Sequence, residues 1–567
     1  MEYALAAVAA IVTIVLVARF APKLGVAAPL ILIVVGSLFS FLPFAPSVEV
    51  DPEWILVGVL PPLLYSAAVN VPLMDFRRNL KAITGLSVVL VILSTAVSGY
   101  LLYLIFPDLD LAAAFALGAV ISPPDAVAAT AIGKRLGLPG RLVTVLEGEG
   151  LVNDATALVL LRSAIAATAG VVSLWGFVGD FVFAVAVAIG VGIAIGFATV
   201  AVRARLNNPV LNTSISFAVP FIAYLPAEEL GASGVLSVVV AGLVAGHRSA
   251  TRLTAQDRIS ERLNWRTVQF ILENGVFLLM GTEVATLVVQ VEDDDLGVGS
   301  AVLIGLLMTA VLIVVRFAFM VPLIASLRRD ARRAQTRGVY LDQALDRLRG
   351  APTDDPRVRA RASRISRMLA RRRADVDSLT AEGLGWRGGV VLGWSGMRGV
   401  VTLAAAQSLP RDLPYRPQLI LVAFTVALVT LLLQGGTLPA LIGRLRVTGA
   451  SAERERDDLA SLLEEISTTG LATVSDTALE GEEPVEPTIL TRVRAESVLR
   501  AAAVRETGGD GGAHAVYVRL RRRVLEAERA ALIEARSLGV HRSTSLAKAE
   551  HLLDQEEARL YRHDGGH

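Results

Sequence analysis

A chain of 567 residues that is 53% hydrophobic and only 19% charged, with a mean hydropathy of +0.57, is too apolar for a soluble protein of this size. The absence of cysteine excludes disulfides and thiolate metal sites. A net charge of +1 conceals an uneven distribution, with long apolar blocks, short charged loops between them and a polar last quarter.

About thirteen blocks are long enough to cross a bilayer: 3–20, 25–43, 54–70, 82–106, 111–133, 142–169, 172–202, 209–226, 230–247, 266–290, 299–325, 386–409 and 416–443. The first has no basic n-region and no small-residue cleavage site, so it reads as a retained span. The fold class is therefore an all-α polytopic membrane protein. With the N-terminus outside, the inner loops collect Lys23, then Arg77, Arg78 and Lys81, then Lys134, Arg135 and Arg141. Arg203, Arg205, Arg248, Arg252, Arg258 and Arg262 continue the series, followed by the arginine-rich stretch from Arg328 to Arg373. The outer loops hold Asp51, Glu53, Asp108, Asp110, Glu228, Glu229 and Glu292 to Asp295; Arg411 and Arg416 alone break the alternation. This asymmetry is the positive-inside pattern and places the C-terminus in the cytoplasm. Residues 1–445 form the expected transmembrane domain, with 327–385 as a cytoplasmic arginine-rich loop. Residues 446–567 form a cytoplasmic tail of amphipathic helices near 452–467, 488–506, 514–538 and 544–562.

The fifth block reads "ALGAVISPPDAVAATAIG". Pro123 and Pro124 cannot donate to the helix, and their rings clash with the preceding turn, so the span must open beside Asp125. The twelfth block, "GGVVLGWSGMRGVVTLAAA", has a second polar, glycine-rich interruption around Arg398. Blocks five and twelve lie an odd number of spans apart and so run in opposite directions, as in inverted repeats whose broken helices frame a midplane site. Asp125 is then expected at the exposed N–H ends and Arg398 at the carbonyl ends.

The sixth block carries "GEGLVNDATALVLLRSA", with three charges in an otherwise apolar helix. Charge at the centre of a bilayer costs about 3 kcal/mol per residue even on the lenient insertion scale. Helical periodicity puts Glu147 and Gly150 near the face of Asp154, and Glu149 with Asn153 on an adjacent face. Arg316, deep in the eleventh block with no acid of its own, is the expected structural ion-pair partner of Glu149. Asp154 is left without an obvious partner. A lone carboxylate in a cavity can take a proton or a monovalent cation, and either occupant neutralises it. Arg162, two turns further out, reads either as a packing residue or as part of the site.

These stretches together resemble the sodium/proton exchangers of the monovalent cation:proton antiporter family, of the bacterial NhaP and eukaryotic NHE types. "GEGLVNDA" resembles the family's Asn-Asp motif, "SPPDAVA" its first crossing helix and "GWSGMRGVV" its second. "LPPLLYSAAVN" resembles its third helix, "GASGVLSVVVAGLVAG" its ninth and "LLLQGGTLPALI" its last. The resemblance implies a homodimer that works by alternating access. It implies that Asp154 binds the transported Na+ (or K+ or Li+) and the proton, with Asn153, Asp125, Ser122 and Ser66 in the ion site. Pro123, Pro124 and Arg398 would support the crossing helices, and Glu149 and Arg316 would pair. Asn153 stands where electrogenic relatives carry a second acid, which implies electroneutral exchange. Two departures bear on ion choice: Ser66 stands where many members have an acid, and Gly150 where many have a serine. A weaker or more potassium-tolerant site is the expectation.

The expected partners are small cations, protons, the lipid bilayer and a second copy of the chain, with no cofactor and no nucleic acid. The expected location is a cell membrane, the inner membrane of a bacterium, and the expected role is pH and sodium homeostasis. A cation channel or another proton-coupled transporter is the alternative. An enzyme is disfavoured: the chain has no HExxH or GxGD pattern, and of its six histidines only His247 lies near a span.

Overall fold

The computed structural model describes residues 2–24, 28–41, 53–168, 174–206, 208–292, 297–349, 385–411, 413–447, 452–477, 513–538 and 543–563, with a few single positions elsewhere. Among these residues the chain is helical throughout, with no strand. Asp51, the loop acids 293–295, most of 350–384 and the tail helix expected at 488–506 lie outside the described residues. Two compact units emerge, Met1–Gly449 and Ala450–His567.

In chain order the first unit holds α1 (Glu2–Leu24), α2 (Ala28–Ser40), α3 (Leu60–Asn70) and α4 (Leu80–Ile105). Next come α5 (Leu111–Ile121), α6 (Val127–Arg135), α7 (Gly140–Thr168) and α8 (Leu174–Arg203). Then follow α9 (Pro209–Glu229), α10 (Gly234–Arg252), α11 (Ala255–Thr282) and α12 (Val298–Arg349). α13 (Trp386–Trp394), α14 (Val400–Gln407) and α15 (Arg416–Leu445) follow, and two short helices, Leu73–Arg78 and Val284–Glu292, lie between the longer ones. Among the described residues, eight helices are long and apolar enough to cross a membrane. Four shorter apolar helices, Leu5–Ala21, Ala28–Ser40, Trp54–Asn70 and Leu111–Ile121, accompany them.

Local chemistry explains the helix starts. Asp110 accepts the amide of Ala113 at 2.6 Å, and Asn208 accepts those of Val210 and Leu211 ahead of Pro209. Thr254 and Asp257 close a capping box on α11. α12 runs well past its apolar part, out to Arg349, so the start of the segment expected as a loop from 327 is helix. Its Ala, Arg and Leu are strong helix formers, and polarity ends a span without ending a helix.

Two apolar clusters organise the unit. One joins α4, α5, α12 and α15 with Val145, Leu146, Leu160 and Leu161 of α7. The other joins α3, α8, α9, α10 and Trp265 with Leu151 and Ala155 of the same α7. α7 is thus shared, with one face in each cluster. Val182, Phe183, Ile193 and Phe197 of α8 point away from both and are exposed, as lipid-facing side chains are.

In the second unit α16 (Ala452–Thr477) is followed by a hairpin of α17 (Ala513–Leu538) and α18 (Ser543–His563). Arg529 pairs with Asp554 at 2.5 Å and Glu557 at 2.6 Å across that hairpin.

Candidate functional site

The fifth and twelfth apolar blocks each fall on two short helices separated by a non-helical stretch, α5 and α6 around 122–126 and α13 and α14 around 395–399. The two interruptions satisfy each other. In a continuous helix the amide of Asp125 would bond the carbonyl of Ile121. Here it donates to Met397 O at 2.5 Å, on the other interruption. The freed carbonyls of Ile121 and Ser122 accept instead from Arg398, from Nε and Nη2 at 3.1 Å each. Arg398 also donates to Gly396 O through its side chain and to Thr430 Oγ1 through its amide at 3.0 Å. A buried guanidinium therefore closes the carbonyl end of α5. At the amide end of α6, Asp125 Oδ1 accepts from Val127 N at 2.8 Å.

Two glycines allow this closeness. A Cβ on Gly399 would overlap the Asp125 carboxylate. A Cβ on Gly150 would lie 2.6 Å from the Ala126 Cβ, so a serine at 150 does not fit this packing. The hydroxyl is exchanged for a tighter approach of α7 to the start of α6. Gly399→Ala is expected to lower stability by about 1–3 kcal/mol through overpacking and to slow any activity that depends on Asp125. Gly443→Ala, where a Cβ meets nothing within 4 Å, is the control. Thermal unfolding of both variants in detergent checks this; equal melting temperatures would refute it.

A cavity of about 460 Å³ opens beside the two interruptions. Asp154, Asp125, Glu273, Glu147, Gln269 and Gly399 are among the residues that line it. Asp154 is half-buried, and among the described residues its carboxylate has no hydrogen-bond or ion-pair partner. Asn153 turns the other way: it is fully buried, and its Nδ2 donates to the carbonyl of Pro124. That bond takes up a carbonyl beside the proline break and ties α7 to it.

Glu149 and Arg316 are brought together as a buried bidentate pair, Nη1–Oε1 2.5 Å and Nη2–Oε2 3.0 Å. Arg316 also donates from Nε and Nη2 to Leu392 O, at 3.1 and 2.9 Å, near the end of α13. Ser122 does not reach the cavity: its hydroxyl donates to Gly118 O at 2.6 Å and accepts from Thr95 at 3.2 Å. Ser66 is buried and donates to Gln269 Oε1 at 3.1 Å. Arg162 pairs with Glu228 at the end of α9. Lys134 pairs with Glu147 at 2.6 Å on the cavity rim.

Sequence reasoning did not single out Glu273, Gln269, Arg262 or Arg266, all of which line the cavity. The signal was present: 262, 266, 269, 273 and 276 recur at helical spacing and put one stripe of α11 against the cavity.

Residues 8–443 match the family described as sodium/hydrogen exchanger, transmembrane. An uncharacterised Na+/H+ exchanger of Mycobacterium tuberculosis is 28% identical over 547 residues, covering 94% of this chain and 91% of the relative. A sodium, potassium, lithium and rubidium/H+ antiporter of Bacillus subtilis is 32% identical over 319 residues, 53% of this chain and 46% of the relative. A Na+/H+ antiporter of Aphanothece halophytica is 28% identical over 428 residues, 75% of this chain and 71% of the relative. The solved structure of the sodium proton antiporter MjNhaP1 from Methanocaldococcus jannaschii superposes with a TM-score of 0.54 at 15% identity, covering 78% of this chain and 99% of that one. That likeness concerns the fold.

Proposed function

This chain belongs to the sodium/hydrogen exchanger family, and from that premise we propose that it is an electroneutral antiporter in which a monovalent cation and a proton compete for Asp154. One observation carries the reading: a carboxylate without a partner among the described residues faces a cavity framed by two broken helices, beside a helix end closed by Arg398. With either occupant the site is neutral and crosses the low-dielectric barrier cheaply; empty, it is charged and crosses slowly. That difference couples the two ions. With Asn153 uncharged and its Nδ2 given to Pro124, and with Asp125 Oδ1 taken by the Val127 amide, one titrating carboxylate per cycle gives a one-for-one exchange.

The two broken helices are read as crossing at mid-membrane, among about thirteen spans with the N-terminus outside. Lys134, Arg262 and Arg266 line the cavity, and Lys134 and Arg262 lie on the side that the positive-inside pattern makes cytoplasmic, so the cavity is read as open inward. Alternating access, a homodimer, a bacterial inner membrane and a role in pH and sodium homeostasis complete the proposal, with 446–567 as a cytoplasmic tail. Because Gly150 has no hydroxyl and Ser66 is engaged by Gln269, few fixed ligands enforce a radius, and potassium and lithium are expected to be carried beside sodium.

Proteoliposomes with an internal pH dye test this. Sodium, lithium and potassium should each drive proton movement, at rates indifferent to an imposed potential. Cation flux without proton movement would overturn antiport; a rate that follows the potential would overturn the one-for-one ratio.

A further inference from the structure

The stripe of α11 that faces the cavity changes character along its length. Arg262 and Arg266 come first, exposed and without an ion-pair partner among the described residues. Gln269 and Glu273 follow, half-buried, and Val276 and Phe277 close it. Glu273 is held in place. Gln269 Nε2 donates to Glu273 Oε1 at 2.6 Å, and Gln269 Oε1 accepts from Ser66 at 3.1 Å. Ser66 thereby fixes which end of the amide faces Glu273. α11 itself is anchored below this point: Glu261 takes Arg203 Nη2 at 2.8 Å in a buried pair, and the Trp265 ring lies 5.2 Å from that of Tyr65. An anchored helix thus presents a carboxylate whose second oxygen accepts no hydrogen bond among the described residues, into the cavity that Asp154 faces.

We propose that Glu273 is a second cation-binding carboxylate of this cavity, positioned by Gln269 and Ser66, holding the monovalent cation on its way between the rim and Asp154. The inference rests on the antiporter reading. The chemistry distinguishes Glu273 from the other cavity acids. Glu147 is paired with Lys134 and Asp125 is held at the start of α6 by the Val127 amide, whereas Glu273, held by a side-chain amide on its own helix, has no cationic partner among the described residues. Its like-charged neighbours across the cavity, Asp154 and Asp125, make the region more attractive to a cation than any one acid alone. Arg266, two turns along the same stripe, opposes it and sets the field at the mouth.

Glu273→Gln keeps shape and the contact with Gln269 but removes the charge. The concentration of sodium that half-saturates exchange should rise about tenfold, while the maximal rate stays within about twofold and Glu273→Asp restores much of the affinity. Arg266→Gln should move half-saturation the opposite way. A half-saturating concentration unchanged in Glu273→Gln, or a loss in maximal rate alone, would overturn the proposal. The sodium-induced rise in melting temperature of the purified protein reads the same site without transport. If the parent chain exchanges no ions, the antiporter reading falls, and the melting titration still judges Glu273: a smaller sodium shift in the variant supports a cation site, an equal one refutes it.

Discussion

Asp154→Asn should abolish ion-driven proton movement while leaving the protein as stable as the parent. The two halves of this expectation have one cause. The carboxylate has no partner among the described residues, so the amide deprives the fold of nothing. The transported ion, by contrast, loses its only uncommitted charge on α7. A unit charge 4 Å from a cation is worth about 4 kcal/mol at an intermediate dielectric, or roughly three powers of ten in affinity. The parent should also show competition, with the half-saturating sodium concentration climbing as pH falls because protons occupy the same group. Asparagine has no proton to exchange, so residual flux in the variant should show no such dependence. Proton-coupled exchange that survives in Asp154→Asn at the parent's rate would move the site elsewhere in the cavity.

Intramembrane charge and backbone breaks are legible in sequence because both are costly. Proline and glycine are the residues that open a helix in hydrocarbon, so "SPPDA" and "GMRGV" stand out, and the structure places α5–α6 and α13–α14 around them. The mutual repair of those breaks was less legible. That Arg398 serves the carbonyls of Ile121 and Ser122, two residues nearly three hundred positions away, follows from tertiary contact alone. Glu273 went unseen for a different reason. It lies inside the tenth apolar block, in the second half of α11, where its charge was on view, but only the cavity shows that it faces inward beside Asp154. Ser66 was legible as a departure from the family's pattern, but its engagement with Gln269 required the packing of α3 against α11. Gly150 likewise looked like a lost hydroxyl, and its contact with Ala126 gives that loss a steric reason.

Glu149, five residues before Asp154 on the same helix, should respond in the opposite way. Its pair with Arg316 is closed on both sides, the carboxylate taking two N–H groups and the guanidinium donating two more to Leu392 O. Arg316→Met leaves a buried anion and an uncapped carbonyl at the end of α13. Removing one partner of a buried pair costs about 3–5 kcal/mol, enough to lower the melting temperature markedly or prevent recovery of folded protein. Glu149→Gln/Arg316→Met removes both charges, and much of that loss should return, because the desolvation of each ion no longer has to be offset. Activity need not return with it. Leu392 lies three residues before the second interruption, so Arg316 holds the last turn of α13, close in sequence to the Met397 carbonyl that accepts from Asp125 on the cavity wall. A double variant that folds but exchanges slowly would mean that the pair is retained for the geometry of the crossing. One that both folds and exchanges as the parent would mean that the two charges serve stability alone.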